Sequence, residues 1–85
     1  MAVYTIVFSK QAEKFLPTLE QVYKERLRVI FDQLRKDPFT YKKIQGGIHL
    51  YRIRIGTYRI IYEIDQDNRR IHVLRVERRS KVYQR

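Results

Sequence analysis

β-Branched and aromatic side chains crowd residues 2–8, Ala-Val-Tyr-Thr-Ile-Val-Phe, and predict a strand. The apolar period then lengthens. Ser9 is placed to cap a short helix through Phe15, which Pro17 closes. Thr18 and Gln21 form a T-x-x-Q capping box that starts a second helix, running to about Lys36. Leu19, Tyr23, Leu27, Ile30, Phe31 and Leu34 recur at helical spacing along one face of it. Glu20, Lys24, Glu25, Arg28, Asp32 and Arg35 make the opposite face a solvated mixture of charges. Asp37-Pro38 ends this helix, and a loop follows through Gly46-Gly47.

Three strands come next, at His49–Ile55, Thr57–Asp65 and Arg70–Glu77. Gly56-Thr57 supplies the first hairpin turn and Gln66-Asp67-Asn68-Arg69 the second, so consecutive strands pair antiparallel. The expected fold class is α+β. An N-terminal strand, a helical hairpin and a three-stranded antiparallel meander follow in the order β-α-α-β-β-β, in an antiparallel sheet with the helices packed on one face. Repeats, low-complexity tracts and linkers are absent from the sequence, and residues 1–85 are expected to form a single domain.

Side chains alternate along a strand, so each strand has two faces. Tyr51, Ile53 and Ile55 share one, with Arg52 and Arg54 on the other. Tyr58, Ile60, Tyr62 and Ile64 oppose Arg59, Ile61 and Glu63. In the last strand His72, Leu74 and Val76 oppose Ile71, Val73, Arg75 and Glu77. With the apolar sets on the helices, Arg52, Arg54, Arg59 and Arg75 collect on the open face, but strict alternation drags Ile71 and Val73 out with them.

Composition sharpens this picture. Nineteen Lys and Arg against nine Asp and Glu give a formal charge of +10, and the surplus is concentrated in residues 52–85. A polyanion is the natural partner of such a chain. The sequence has no Cys, which excludes disulfides and thiolate zinc sites and fits a reducing, cytoplasmic compartment. No apolar run is long enough for a membrane span or a signal-peptide core, so no membrane partner is expected. His49 and His72 lack the matched spacing of metal ligands, and neither a metal nor a cofactor is expected. A Gly-rich phosphate loop, paired carboxylates and a nucleophilic triad are also missing, so any chemistry falls to Arg, Tyr and Lys.

Arginines grouped on an open sheet face can clamp successive phosphates, and neighbouring tyrosines can stack on bases. A solvated, cross-paired sheet face accounts for any one of them. It accounts less well for the set, because like charges across adjacent strands repel unless an anion neutralises them. Glu63 and Glu77 neutralise part of that charge. Tyr23, Tyr51, Tyr58 and Tyr62 fall at core positions. Tyr83 instead lies in a polar tail, Arg78-Arg79-Ser80-Lys81-Val82-Tyr83, where no core demands it. Arg75, Arg78, Lys81, Lys42 and Lys43 complete the candidate RNA-binding set.

Two segments, Leu50-Tyr-Arg-Ile-Arg-Ile-Gly-Thr-Tyr-Arg-Ile-Ile-Tyr62 and Val73-Leu-Arg-Val-Glu-Arg-Arg-Ser-Lys-Val-Tyr83, resemble the RelE branch of the RelE/ParE toxin superfamily. The likeness extends through the N-terminal strand and helical hairpin. It implies the toxin of a type II toxin–antitoxin pair, a metal-independent endoribonuclease that enters the ribosomal A site and cuts messenger RNA there. By position, Arg52 and Arg54 stand where the family has its basic pair beside the scissile phosphate. Arg59 matches the arginine that stabilises charge on that phosphate, Arg79 the acid to the leaving group, and Tyr83 the tyrosine that orients the nucleotide. The chain departs from the family in two ways. Arg78 replaces a residue often found as His, which removes a candidate base. The basic pair is arginine rather than lysine, and arginine is hard to deprotonate near neutral pH, so Arg52 and Arg54 are cast as electrostatic stabilisers. The sequence stops at Arg85, so a longer C-terminal helix is not expected.

The implied partners are the ribosome with its messenger and a cognate antitoxin carrying an acidic, amphipathic segment. Two rival functions fit the same residues. One is a ParE-like inhibitor of DNA gyrase without nuclease activity, since one fold hosts both. The other is a non-catalytic RNA-binding module.

Overall fold

The computed structural model describes residues 3–44 and 49–78. Strand β1 spans Thr5–Phe8, and Ser9 follows as the N-cap of helix α1, Lys10–Phe15, its hydroxyl accepting from the Ala12 amide. The capping box does not form. Pro17 sets up a 3-10 turn over Leu16–Thr18, and the Thr18 hydroxyl donates back to the Phe15 carbonyl. Helix α2, Gln21–Lys36, therefore starts from Glu20, which makes no side-chain cap. Asp37 ends it, as the Asp-Pro pair predicts.

The meander is present as expected, with β3 at Leu50–Ile55, β4 at Tyr58–Asp65 and β5 at Arg70–Arg78. A two-residue strand β2, Lys42–Lys43, adds to β3 within the segment expected to be loop. The sheet order is β1-β5-β4-β3-β2. The helices carry the chain from the β1 edge to the opposite edge, and the meander walks back until β5 meets β1. That last pairing is parallel, so the sheet is mixed rather than wholly antiparallel. A parallel neighbour needs a crossover, and everything between β1 and β5 supplies it.

Leu27 and Leu34 of α2, Ala12 of α1 and Leu19 pack on Ile53, Ile55, Tyr58, Ile60, Tyr62 and Ile64. Burying the leucines and isoleucines among them stabilises the fold by roughly 1.5–3 kcal/mol each. Tyr62 lies fully inside, stacked on Tyr51 with ring centroids 5.4 Å apart, and its hydroxyl donates to the Pro38 carbonyl at 2.7 Å. Burial pushes that phenol above the usual tyrosine range.

Strict alternation in the last strand is broken. Ile61 pairs with Arg75 but Tyr62 pairs with Val73, so Leu74 is an extra residue, a β-bulge. The bulge shifts the phase of β5 by one position. Ile71 and Val73 are buried before it and Val76 after it, which removes the conflict in the sequence pattern. Beyond Phe8, where β1 stops pairing, the α1 segment takes over the edge of β5. The Ser9 hydroxyl donates to the Leu74 carbonyl at 2.7 Å. The Gln11 amide exchanges two hydrogen bonds with the Val76 backbone, at 2.8 and 2.9 Å.

Candidate nucleic-acid interface

Gly56 sets the geometry at one end of the open face. Its φ of +60° is the left-handed conformation glycine adopts freely, and a Cβ there would come within 2.6 Å of the Tyr23 ring. The tight hairpin it allows puts Arg54 directly opposite Arg59, and Arg59 directly opposite Glu77. The next row on the same face reads Lys42, Arg52, Ile61, Arg75 across four strands. Five cations from four strands thus surround a half-buried isoleucine.

The described acid that contacts this group is Glu77. One oxygen accepts from Arg59 Nη2 at 2.9 Å and the other from Arg75 Nε at 2.7 Å. Hydrogen bonds from Arg75 and then Arg59 hold the Glu77 carboxyl below the usual glutamate range. Arg75 is the more open of the two, its side chain 56% exposed against 27% for Arg59. Arg54 is exposed and Arg52 half-buried.

Further along the face the charge reverses. Glu63 lies opposite His72, and Asp65 opposite Arg70. Glu63, Asp65 and Asp67 line a cavity of about 400 Å³ together with His49 and His72. Hydrogen bonds from the Asn68 side chain and amide stabilise the Asp65 carboxylate and lower its pKa. Among the described residues no cluster of three or more His, Cys, Asp or Glu is placed to hold a metal ion. No described helix is long and apolar enough to cross a membrane. The cations of this face thus gather at its Gly56 end and the carboxylates towards the 66–69 turn.

Of the residues singled out by sequence, Arg52, Arg54, Arg59, Arg75 and Lys42 come together here. Lys43 does not, since it registers with Tyr51 on the opposite face. Arg78 is also drawn away. It pairs with Tyr58, donates to the Tyr58 hydroxyl at 3.0 Å and sits with its guanidinium carbon 5.4 Å from that ring's centroid. Arg79, Lys81 and Tyr83 lie outside the described residues, as do Gly46 and Gly47. Glu77 was legible only as a partial neutraliser; its bridging position depends on the bulge.

Residues 6–83 match the family described as "ParE toxin of type II toxin-antitoxin system, parDE". The chain belongs to this family. It is a RelE-like toxin of the RelE/ParE superfamily, as its relatives show. The toxin RelG of Mycobacterium tuberculosis is 28% identical to it, with 96% of this chain and 98% of RelG covered. The RelE of Pyrococcus horikoshii, solved in complex with RelB, superposes with a TM-score of 0.78 at 27% identity, covering 95% of this chain and 99% of that one. The isolated RelE toxin of E. coli shares the fold at a TM-score of 0.83 and 24% identity, over 95% of this toxin and 92% of the other.

Proposed function

We propose that this toxin is a ribosome-dependent endoribonuclease that cuts messenger RNA in the A site. The observation that carries the reading is the convergence of Arg52, Arg54, Arg59 and Arg75 on one face beside the Gly56 hairpin. In the reaction a ribose 2′-oxygen bonds to the adjacent phosphorus while the bond to the 5′-oxygen breaks. The 2′-hydroxyl loses its proton to solvent water, the leaving 5′-oxygen gains a proton, and the products are a 2′,3′-cyclic phosphate and a 5′-hydroxyl. Negative charge grows on the phosphorane oxygens along this path, and preorganised guanidinium groups stabilise it. Arg59, held by its register neighbours, is the central stabiliser, with Arg54 directly across from it. Arg52 and Arg54 act as electrostatic stabilisers of the phosphate. Glu77, with its lowered pKa, is a poor proton acceptor, so alignment of the substrate by the ribosome supplies much of the acceleration. Arg79 as acid to the leaving group and Tyr83 as the nucleotide's support follow from their positions in the family pattern.

A cognate antitoxin is the second partner we assign, and the RelE–RelB complex of P. horikoshii supports it. It should bring acidic residues to the basic face and apolar ones for lasting affinity. Co-expression with that antitoxin is expected to restore growth and give a co-purifying complex of lower net charge. The matched family's ParE name favours one alternative, a gyrase inhibitor that cuts no RNA. Primer extension on a translated messenger separates the two. Cuts inside codons, lost in Arg59→Ala, support the ribonuclease. Intact messenger with gyrase-dependent DNA breaks overturns it.

A further inference from the structure

The basic face carries its own anion. Glu77 gives each carboxylate oxygen to a different guanidinium, Arg59 on one side and Arg75 on the other, as the two free oxygens of a phosphodiester would. Arg54, across from Arg59, has no acidic partner among the described residues, and neither has Arg52. The carboxylate thus takes up two of the donors best placed for a phosphate and leaves the flanking ones open. It is only 27% exposed, and its two contacts hold it in place, so the arrangement is built rather than incidental. We propose that Glu77 is an internal counter-anion that occupies the Arg59 and Arg75 donors in the free toxin and must yield them when an RNA phosphate arrives.

Glu77 then restrains affinity for any polyanion at this face while keeping the two arginines ordered and apart. It discriminates against loosely held RNA, because only a substrate aligned well enough to displace the carboxylate gains both guanidinium groups. The inference rests on the reading that this face takes RNA, but it does not need the RNA to be cut.

The test measures binding alone, with a 2′-O-methyl RNA oligonucleotide that cannot be cleaved, across a series of salt concentrations. Glu77→Gln keeps the size and one of the two acceptor oxygens, turns the other into an NH2 that can accept from neither guanidinium, and removes the charge. It is expected to bind about tenfold tighter, the order of effect for one unit charge a few ångströms away at a half-exposed site. The plot of log affinity against log salt should steepen by about 0.7, one more phosphate neutralised. Glu63→Gln is the control. It changes the net charge equally, but its cross-strand neighbours are Leu50 and His72 rather than arginines, so its gain should stay below about threefold. Weaker or unchanged binding by Glu77→Gln overturns the proposal and makes Glu77 a positioning residue for Arg59. Equal gains from both variants overturn it in favour of bulk charge, and no binding by any of the three proteins overturns it outright. Should Glu77→Gln fail to fold, the wild-type toxin decides. The oligonucleotide must shift the NMR resonances of the Glu77 carboxyl carbon and the Arg59 guanidinium, and unmoved signals refute displacement. A toxin that cuts no messenger yet gains affinity through Glu77→Gln refutes the ribonuclease and leaves this inference standing.

Discussion

Replacing Gly56 by Ala tests how the hairpin that sets the arginines is held. Two costs act at once. A non-glycine residue at φ +60° loses roughly 1–2 kcal/mol to the clash of its Cβ with the following carbonyl. The same Cβ would sit 2.6 Å from Tyr23 Cε1, inside contact distance, so the ring has to shift. Tyr23 packs edge-on against Tyr58 with centroids 5.2 Å apart, and disturbing such a contact costs about 1 kcal/mol more. The sum is about 2–3 kcal/mol, or a fall in Tm of roughly 10–20 °C for a chain of this size. Thermal and urea unfolding of four proteins would resolve the two parts: wild type, Gly56→Ala, Tyr23→Ala and the double variant. The substitution should cost about 1 kcal/mol less in the Tyr23→Ala background, since the steric part is gone there. Gly56→Asn, which tolerates positive φ, should retain the steric cost and lose most of the backbone one. Strict additivity of the two sites, or a Gly56→Ala cost below about 0.5 kcal/mol, would refute the close packing of this turn on α2.

Further outcomes follow from the same geometry. Arg59→Ala and Arg79→Ala should each slow cleavage of translated messenger by about 100-fold or more, the usual loss for one donor to a developing anion. Arg28→Ala, on the exposed face of α2, should change little, and equal losses from all three would point to bulk charge. The Glu77 pKa is lowered on folding, so its ion pairs add stability above the unfolded value near 4.5, and that contribution fades as pH falls through the lowered folded value. Unfolding measured between pH 7 and 3 should show this acid loss diminished in Glu77→Gln. Deleting Leu74 should abolish folding, seen as lost thermal cooperativity. Without the extra residue, either Ile71 and Val73 or Val76 must leave the core.

Local signals carried most of the fold. Ser9 capped the helix it was expected to cap, α2 ended at Lys36, and Gly56-Thr57 turned the first hairpin. Each depends on residues close together in the chain. The failures have physical causes of a different range. The Thr18-Gln21 box was overridden by Pro17, whose 3-10 turn gives the Thr18 hydroxyl a nearer acceptor in the Phe15 carbonyl. The parallel partner of β1 lies more than 60 residues away in the chain, beyond any local pattern. A strand as short as Lys42–Lys43 has no periodicity to detect. At the site, alternation placed Arg52, Arg54 and Arg59 correctly because β3 and β4 are regular. It could not show that Lys43 faces the tyrosines, nor that Arg78 is taken by Tyr58.

The bulge at Leu74 is where fold and site depend on one another. In a regular β5 the residues that bury best, Ile71 and Val73, would share a face with Arg75 and Glu77. Either the charges of Arg75 and Glu77 would be forced beneath the helices or two aliphatic side chains would be left on the open face, and each costs several kcal/mol. One extra residue resolves this. The first half of β5 serves the core and the second half turns Arg75 and Glu77 to meet Arg59. Such an insertion leaves backbone groups without sheet partners, and they must be satisfied for the bulge to persist. The Ser9 hydroxyl donates to the carbonyl of the bulged Leu74, and just beyond it, where β1 no longer pairs, the Gln11 amide satisfies both edge groups of Val76. The start of α1, remote from the arginines in sequence, thereby fixes the strand that presents them. Disturbing Gln11 should loosen the Arg59–Glu77–Arg75 bridge without touching any charged residue in it.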